Sequence, residues 1–187
     1  MDALPQKLLV IFQNVNEWVK FAEAKNAVLL AFAGAAVTVT TTALVTAQAM
    51  PFFWQVALSV TTGWIGICAF LCAVSFIPKT NLEKILWLKQ KPSEQQRLKK
   101  TDNFYFFGDL RKYRPEELLE AINYYYFNNE FTLPHGKECE DIAAQIVVAA
   151  QIANMKFTLF TYAIYSLLIA LLCMPIFGLL NLAFFRK

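Results

Sequence analysis

Apolar residues recur at Leu4, Leu8, Ile11, Val15, Trp18 and Ala22, three or four positions apart, among charged and amide neighbours. That spacing lays them along one face of a helix. After Lys25 the mixture ends: no charged residue lies between Lys25 and Lys79, and none between Lys156 and Arg186. Apolar stretches longer than about 18 residues predict transmembrane helices. The first uncharged block is too long for one span, and Pro51 in AQAMPFFWQ is the natural place for a hairpin. Spans are therefore expected over residues 26–48, 53–77 and 157–185. The pattern predicts an all-α membrane protein with three transmembrane helices, an N-terminal amphipathic helix and a small, mainly helical cytoplasmic region. The expected organisation is 1–25 amphipathic helix, 26–77 membrane hairpin, 78–156 cytoplasmic region and stalk, and 157–187 third span and C-terminus.

The joins between these parts carry their own signal. In WVKFAEAKNAVLLAFAGAA the charges Lys20, Glu23 and Lys25 pass directly into uncharged sequence with no Pro and a single Gly. Ala, Leu, Lys and Glu all favour helix, so one helix is expected to run through the junction. From Lys137 onward nothing breaks a helix before Pro175. That predicts a helix of roughly 50 residues, on the order of 75 Å, against a hydrocarbon core of ~30 Å. A cleaved signal peptide is not expected, because no apolar core appears ahead of Lys20. Residues 1–25 then either pack on other cytoplasmic elements or lie at the membrane interface.

Composition agrees with a membrane setting. Hydrophobic residues make up 57% of the 187, and charged residues 17%, against about 25% in an ordinary soluble domain; the mean hydropathy is +0.41. Charge also orients the chain. Seven Lys or Arg lie between Lys79 and Lys100, and the hairpin around Pro51 has none. Basic residues near span ends stay on the cytoplasmic side, so the N-terminus and residues 78–156 are expected to be cytoplasmic and the C-terminus outside, although Arg186 and Lys187 point the other way. The basic stretch suits anionic headgroups, whereas residues 101–156 are net acidic. In that acidic part an aromatic run, Phe104 to Phe107, leads to a Gly-Asp turn and a helix opening at Pro115 with Glu116 and Glu117 in its first turn.

Catalytic and metal chemistry are missing from the pattern. His135, the one histidine, stands in a Pro-His-Gly turn and reads as a solvated loop residue. It lies four residues from Cys139, but two ligands do not make a zinc site. Cys68, Cys72 and Cys173 read as small packing residues within the spans. No phosphate-binding glycine loop, nucleophile elbow or metalloprotease motif occurs, and no charged residue sits mid-membrane, as a proton-coupled transporter or voltage sensor would need. No enzyme, cofactor, metal or nucleic-acid partner is expected. The spans carry small residues at four-residue spacing: Ala27, Ala31 and Ala35; Gly34, Thr38 and Thr42; Ser59 with Gly63; Thr62 with Gly66. Such rows let helices approach closely in lipid. The hydroxyls of VTVTTTALVT could instead bond across helices or line a wet path.

Four segments in order, FAEAKNAVLLAF at 21–32, Ile77-Pro78, FYFFGDL at 104–110 with PEELL at 115–119, and CEDIAAQIVVAAQIANMKF at 139–157, resemble the Pycsar transmembrane effectors of antiphage defence. FAEAKNAVLLAF at 21–32 is similar to that family's opening into the first span, although Glu23 stands where the family more often has Asp. Ile77-Pro78 closes the second span as in the family. FYFFGDL at 104–110, followed by PEELL, resembles its aromatic motif and acidic helix, and CEDIAAQIVVAAQIANMKF at 139–157 its stalk. The resemblance implies a multi-pass inner-membrane effector paired with a nucleotide cyclase. On binding a cyclic pyrimidine mononucleotide, cUMP or cCMP, such a protein disrupts the membrane and kills the infected cell, an abortive infection. Three spans cannot easily enclose a pore, so a homo-oligomer is expected if one forms. A small channel or transporter subunit, or an adaptor docking a cytoplasmic partner, remains the alternative.

A cyclic phosphate wants a cation and a base wants an aromatic face. Arg111, Lys112 and Arg114 beside Phe106, Phe107 and Tyr113, with Asp109 for a ribose or base donor, form the candidate ligand cluster. The plainer reading is that the aromatic run packs a small core under solvated cations. Lys20, Glu23 and Lys25 on the first long helix, and Asp141, Gln145 and Lys156 on the last, are candidates for pairing near the membrane surface and coupling ligand to lipid. The plainer reading there is that these charges mark the interface, with Lys25 and Lys156 extending to headgroups.

Overall fold

The computed structural model describes residues 3–46, 51–77, 101–131 and 136–184. The basic stretch from Lys79 to Lys100, Pro78, His135 and the terminal Arg186-Lys187 lie outside the described residues. Among the described residues the chain is all-helical: α1 (Ala3–Thr46), α2 (Phe52–Val74), α3 (Phe107–Leu110), α4 (Pro115–Phe127) and α5 (Lys137–Phe184). The helices α1, α2 and α5 are long and apolar enough to cross a membrane. The chain divides into two compact units. One gathers residues 1–22 and 78–156, the other residues 23–77 and 157–187, so α1 and α5 contribute to both.

In the first unit, the apolar face of α1 is buried as its spacing predicts: Leu8, Ile11, Val15 and Ala22 have no exposure and Leu4 almost none. The helix is therefore packed against other elements of this unit rather than lying bare at an interface. Leu110, Leu118, Ile122, Ala143, Ile146 and Ala150 complete that core. Where a Gly-Asp turn is expected, Gly108 and Asp109 sit inside the single helical turn α3. Helix α4 begins with Pro115 at its first position, and the Arg114 amide donates to Glu117 Oε2 at 3.0 Å. It ends at Asn128 in the left-handed region (φ 48°), followed by Asn129 (φ 60°). Asn adopts that conformation more readily than other side-chain-bearing residues. Buried Asn123 ties this turn down: Nδ2 donates to Phe131 O at 2.8 Å, Oδ1 accepts from the Phe131 amide, and its carbonyl accepts from the Asn129 amide.

The second unit is a three-helix bundle with small residues at its centre. Ala33 of α1, Cys68 and Cys72 of α2, and Ala163 and Ala170 of α5 are buried together with Leu29 and Ile65. Both cysteines are free thiols that fill space. Helices α2 and α5 run antiparallel: Phe53 meets Phe177 with ring centroids 5.4 Å apart, and Ser166 Oγ donates to Trp64 O at 2.8 Å. The small-residue rows read from α1 face elsewhere. Ala27, Ala31, Ala35, Gly34, Thr38 and Thr42 are all exposed, and the helix packs through Asn26, Leu29 and Ala33. Thr38, Thr42 and Thr46 donate to carbonyls of Gly34, Thr38 and Thr42 in their own helix. Those hydroxyls meet their hydrogen-bonding need without reaching a neighbour.

Two substitutions test this arrangement by thermal unfolding in detergent. Asn123→Ala removes the two side-chain bonds to Phe131, while the backbone bond from the Asn129 amide remains, and is expected to cost about 1–3 kcal/mol. Ser166→Ala is expected to cost only ~0.6 kcal/mol, the average for a hydrogen bond between membrane helices. Ser166→Leu, placed at a position with 2% exposure, overfills the contact and is expected to cost about 1–3 kcal/mol.

Candidate functional site

The 101–114 segment folds around a buried acid. Asp102, with 4% of its side chain exposed, accepts from Lys112 Nζ at 3.3 Å and from the Tyr113 hydroxyl at 3.1 Å. Lys112 also pairs with Asp109 at 2.5 Å, and Asp109 Oδ2 accepts from the Asn103 amide at 3.0 Å. Burial would raise the Asp109 carboxyl, but the bonds from Lys112 and the Asn103 amide outweigh it and hold it below its ordinary value. The bond to Asp109 lifts the Lys112 ammonium above its ordinary value. Tyr113 is pushed up by burial and by the Asp102 charge. Lys112, Asp109 and Tyr113 of the sequence-predicted cluster are thus joined in one network that closes this segment on itself.

The aromatic members divide. Phe107 is buried against Trp18, with centroids 5.5 Å apart, and 4.8 Å from Phe106. Phe106 stays exposed, set edge-on to Trp18. Gly108 lies beneath it: a Cβ there would collide with the Phe106 ring, so only glycine leaves that ring where it is. Arg111 Nε donates to Gly108 O, while Arg114 is exposed at the cap of α4. Arg114 and Phe106 are the exposed members of the cluster, with Arg111, Lys112 and Asp109 half-buried.

Sequence reasoning missed a second cation. Lys7 Nζ donates to the Tyr105 hydroxyl at 2.6 Å and sits 4.4 Å from the centroid of the Tyr126 ring. Tyr124, Tyr125 and Tyr126 are exposed along α4, and buried Phe104 backs Tyr125 and Tyr126 at 5.9 and 5.8 Å. An ammonium among phenol rings matches an anion joined to a planar base. The available signal was the position of Lys7, immediately beside Leu8 at the edge of the apolar face of α1.

The candidate coupling residues are spread over both units. Lys20 pairs with Glu17 and Asp141 with Lys137, each within its own helix, at 2.7 and 2.8 Å. Gln145 is exposed, Glu23 half-buried and Lys156 buried. Lys25 reaches across to α5, its Nζ 5.4 Å from the Phe160 centroid and 6.0 Å from that of Phe157.

The sequence model of the Pycsar effector protein domain matches residues 7–183. The chain belongs to the Pycsar effector family. The match takes in both units, from the Lys7 turn of α1 to the end of α5. The Pycsar effector protein RsPycTM of a Rhizobium species is 28% identical over 144 residues, 77% of this chain and 77% of that protein. No solved structure matches the chain.

The network makes the two basic positions of this Pycsar effector separable. Lys112→Met strands the buried Asp102 carboxylate and is expected to cost roughly 3 kcal/mol, whereas exposed Arg114→Ala changes stability by less than about 0.5 kcal/mol; denaturant titration of both variants checks this. The pH dependence follows from the directions. Lowered Asp109 contributes stability above its ordinary value of 3.8 that is lost as pH falls through the lowered value. Raised Lys112 contributes stability below 10.5 that is lost as pH rises through the raised value. The contribution of the pair is therefore expected to be flat from about pH 5 to pH 10 in melting curves, with losses outside that window.

Proposed function

We propose that this protein is the membrane effector of a cyclic-nucleotide antiphage defence system. A cyclic pyrimidine mononucleotide, cUMP or cCMP, made by a partner cyclase during infection, binds the unit outside the spans. The three-helix unit then breaches the inner membrane and the infected cell dies. The observation that carries this reading is that the family match covers the extramembrane unit and all three spans together. The basic residues between Lys79 and Lys100 support a cytoplasmic N-terminus. The chain acts by binding and rearrangement, without catalysis, and as a homo-oligomer if it forms a pore.

Lys7, Tyr105 and Tyr126, with Phe106, Arg111 and Arg114, are the side chains best placed to receive a phosphate and a base. In this reading Phe107, Asp109, Lys112 and Tyr113 hold the segment that presents them. Lys20, Glu23, Lys25, Asp141, Gln145 and Lys156 lie on the two helices that serve both units, and they carry the change between ligand and lipid. A ligand moves such an equilibrium only by its differential affinity for the two states.

The experiment is dye release from anionic liposomes holding the purified full-length protein, with a panel of cyclic mono- and dinucleotides. Release triggered by cUMP or cCMP alone is expected. Lys7→Ala is expected to weaken the response about tenfold in nucleotide concentration, the loss of one charge-assisted hydrogen bond. Release without nucleotide points to a constitutive channel, and silence across the panel to an adaptor; either result overturns the proposal.

A further inference from the structure

A groove of about 480 Å³ opens on the flank of the three-helix unit, between α1 and α5. Val28, Phe32, Phe160 and Ile164 line it, and Lys25 lines the end nearest the charged part of α1. Its walls are carbon throughout. The Lys25 ammonium stands above that end, over the Phe160 and Phe157 rings. Lys25 is also the last charged residue before α1 becomes uncharged, which sets it at the boundary between headgroups and acyl chains. From Lys25 to Phe32 the helix rises about 10 Å, less than half of the ~30 Å hydrocarbon core. The groove therefore belongs to one leaflet, with its cation at the leaflet's polar edge.

We infer that this groove is a binding site for one anionic phospholipid, its acyl chain lying along Val28, Phe32 and Ile164 and its phosphate against Lys25. Two complementarities select that occupant. An all-carbon groove of single-leaflet depth suits a hydrocarbon chain. A cation at its mouth attracts the negative headgroup that the same molecule carries. Rings beneath the ammonium hold it at the mouth by cation–π contact. A second copy of this chain fits less well, because a two-fold contact on this face would bring Lys25 toward its own symmetry mate. The site stands apart from the nucleotide reading and needs no messenger.

The test uses full-length protein washed free of lipid in mild detergent, then given equal phosphatidylglycerol and phosphatidylcholine; native mass spectrometry counts the lipid retained per chain. Wild type is expected to keep one lipid and to prefer phosphatidylglycerol about fivefold, the effect of one Lys at a membrane surface. Val28, 72% exposed, can be enlarged without disturbing the core, so Val28→Trp fills the groove and is expected to abolish retention. Leu179→Trp, at a comparably exposed position outside the groove, keeps it. Lys25→Gln is expected to keep a lipid but lose the headgroup preference. Retention by Val28→Trp equal to wild type, or an unchanged preference in Lys25→Gln, overturns the inference. So does efficient chain-to-chain cross-linking of Val28→Cys in lipid vesicles, which would give the groove to a second copy.

Discussion

Hydrocarbon offers no partner to a polar group, and that constraint decides where the hydroxyls of the spans point. Thr38, Thr40, Thr42, Thr46, Ser59, Thr61, Thr62 and Thr161 each donate to a carbonyl of their own helix. A row of such residues is then apolar in effect, fit to face lipid or another helix without penalty. Ser166 departs from the rule by donating to Trp64 O. It does so where Ala163 and Ala170 on one side and Cys68 and Cys72 on the other leave room for two backbones to approach. Small side chains permit the contact, and the hydroxyl fixes its register.

The first unit, where the charged residues gather, is ordered by a different means. Its order comes from burying one acid. Asp102 is far enough from solvent that Lys112 and Tyr113 must both attend it, and their attendance bends residues 101–114 into a closed segment. Once Lys112 also holds Asp109, α3 has no freedom to turn, and the Phe106–Phe107 pair is fixed with one ring inward and one outward.

Helix continuity was the most legible property of this sequence, because it depends only on the lack of proline from Gln6 to Thr46 and from Lys137 to Met174. The buried face of α1 before Lys25 was equally plain. The packing face beyond it was not. Small-residue spacing marks two rows on α1 and says nothing about which has a partner; Ala33, whose neighbours four residues away are the larger Leu29 and Val37, turned out to be at the centre. The candidate ligand cluster was legible as a segment but not as roles. Whether Lys112 greets a ligand or an acid depends on Asp102, ten residues earlier. Lys7 was hidden for the same reason, its Tyr105 partner being 98 residues away.

The bond from Ser166 also has an alternative. One turn back on α5 stands the carbonyl of Tyr162, related to Ser166 as Phe157 O is to the Thr161 hydroxyl that it accepts from. Should α2 and α5 part, the hydroxyl can swing to that oxygen, and Trp64 O keeps its place in the backbone ladder of α2. Separation then exchanges one hydrogen bond for another instead of orphaning a polar group in lipid. The seam between these helices is held shut by the fit of its alanines and thiols, and its hydrogen bond sets alignment without acting as a lock.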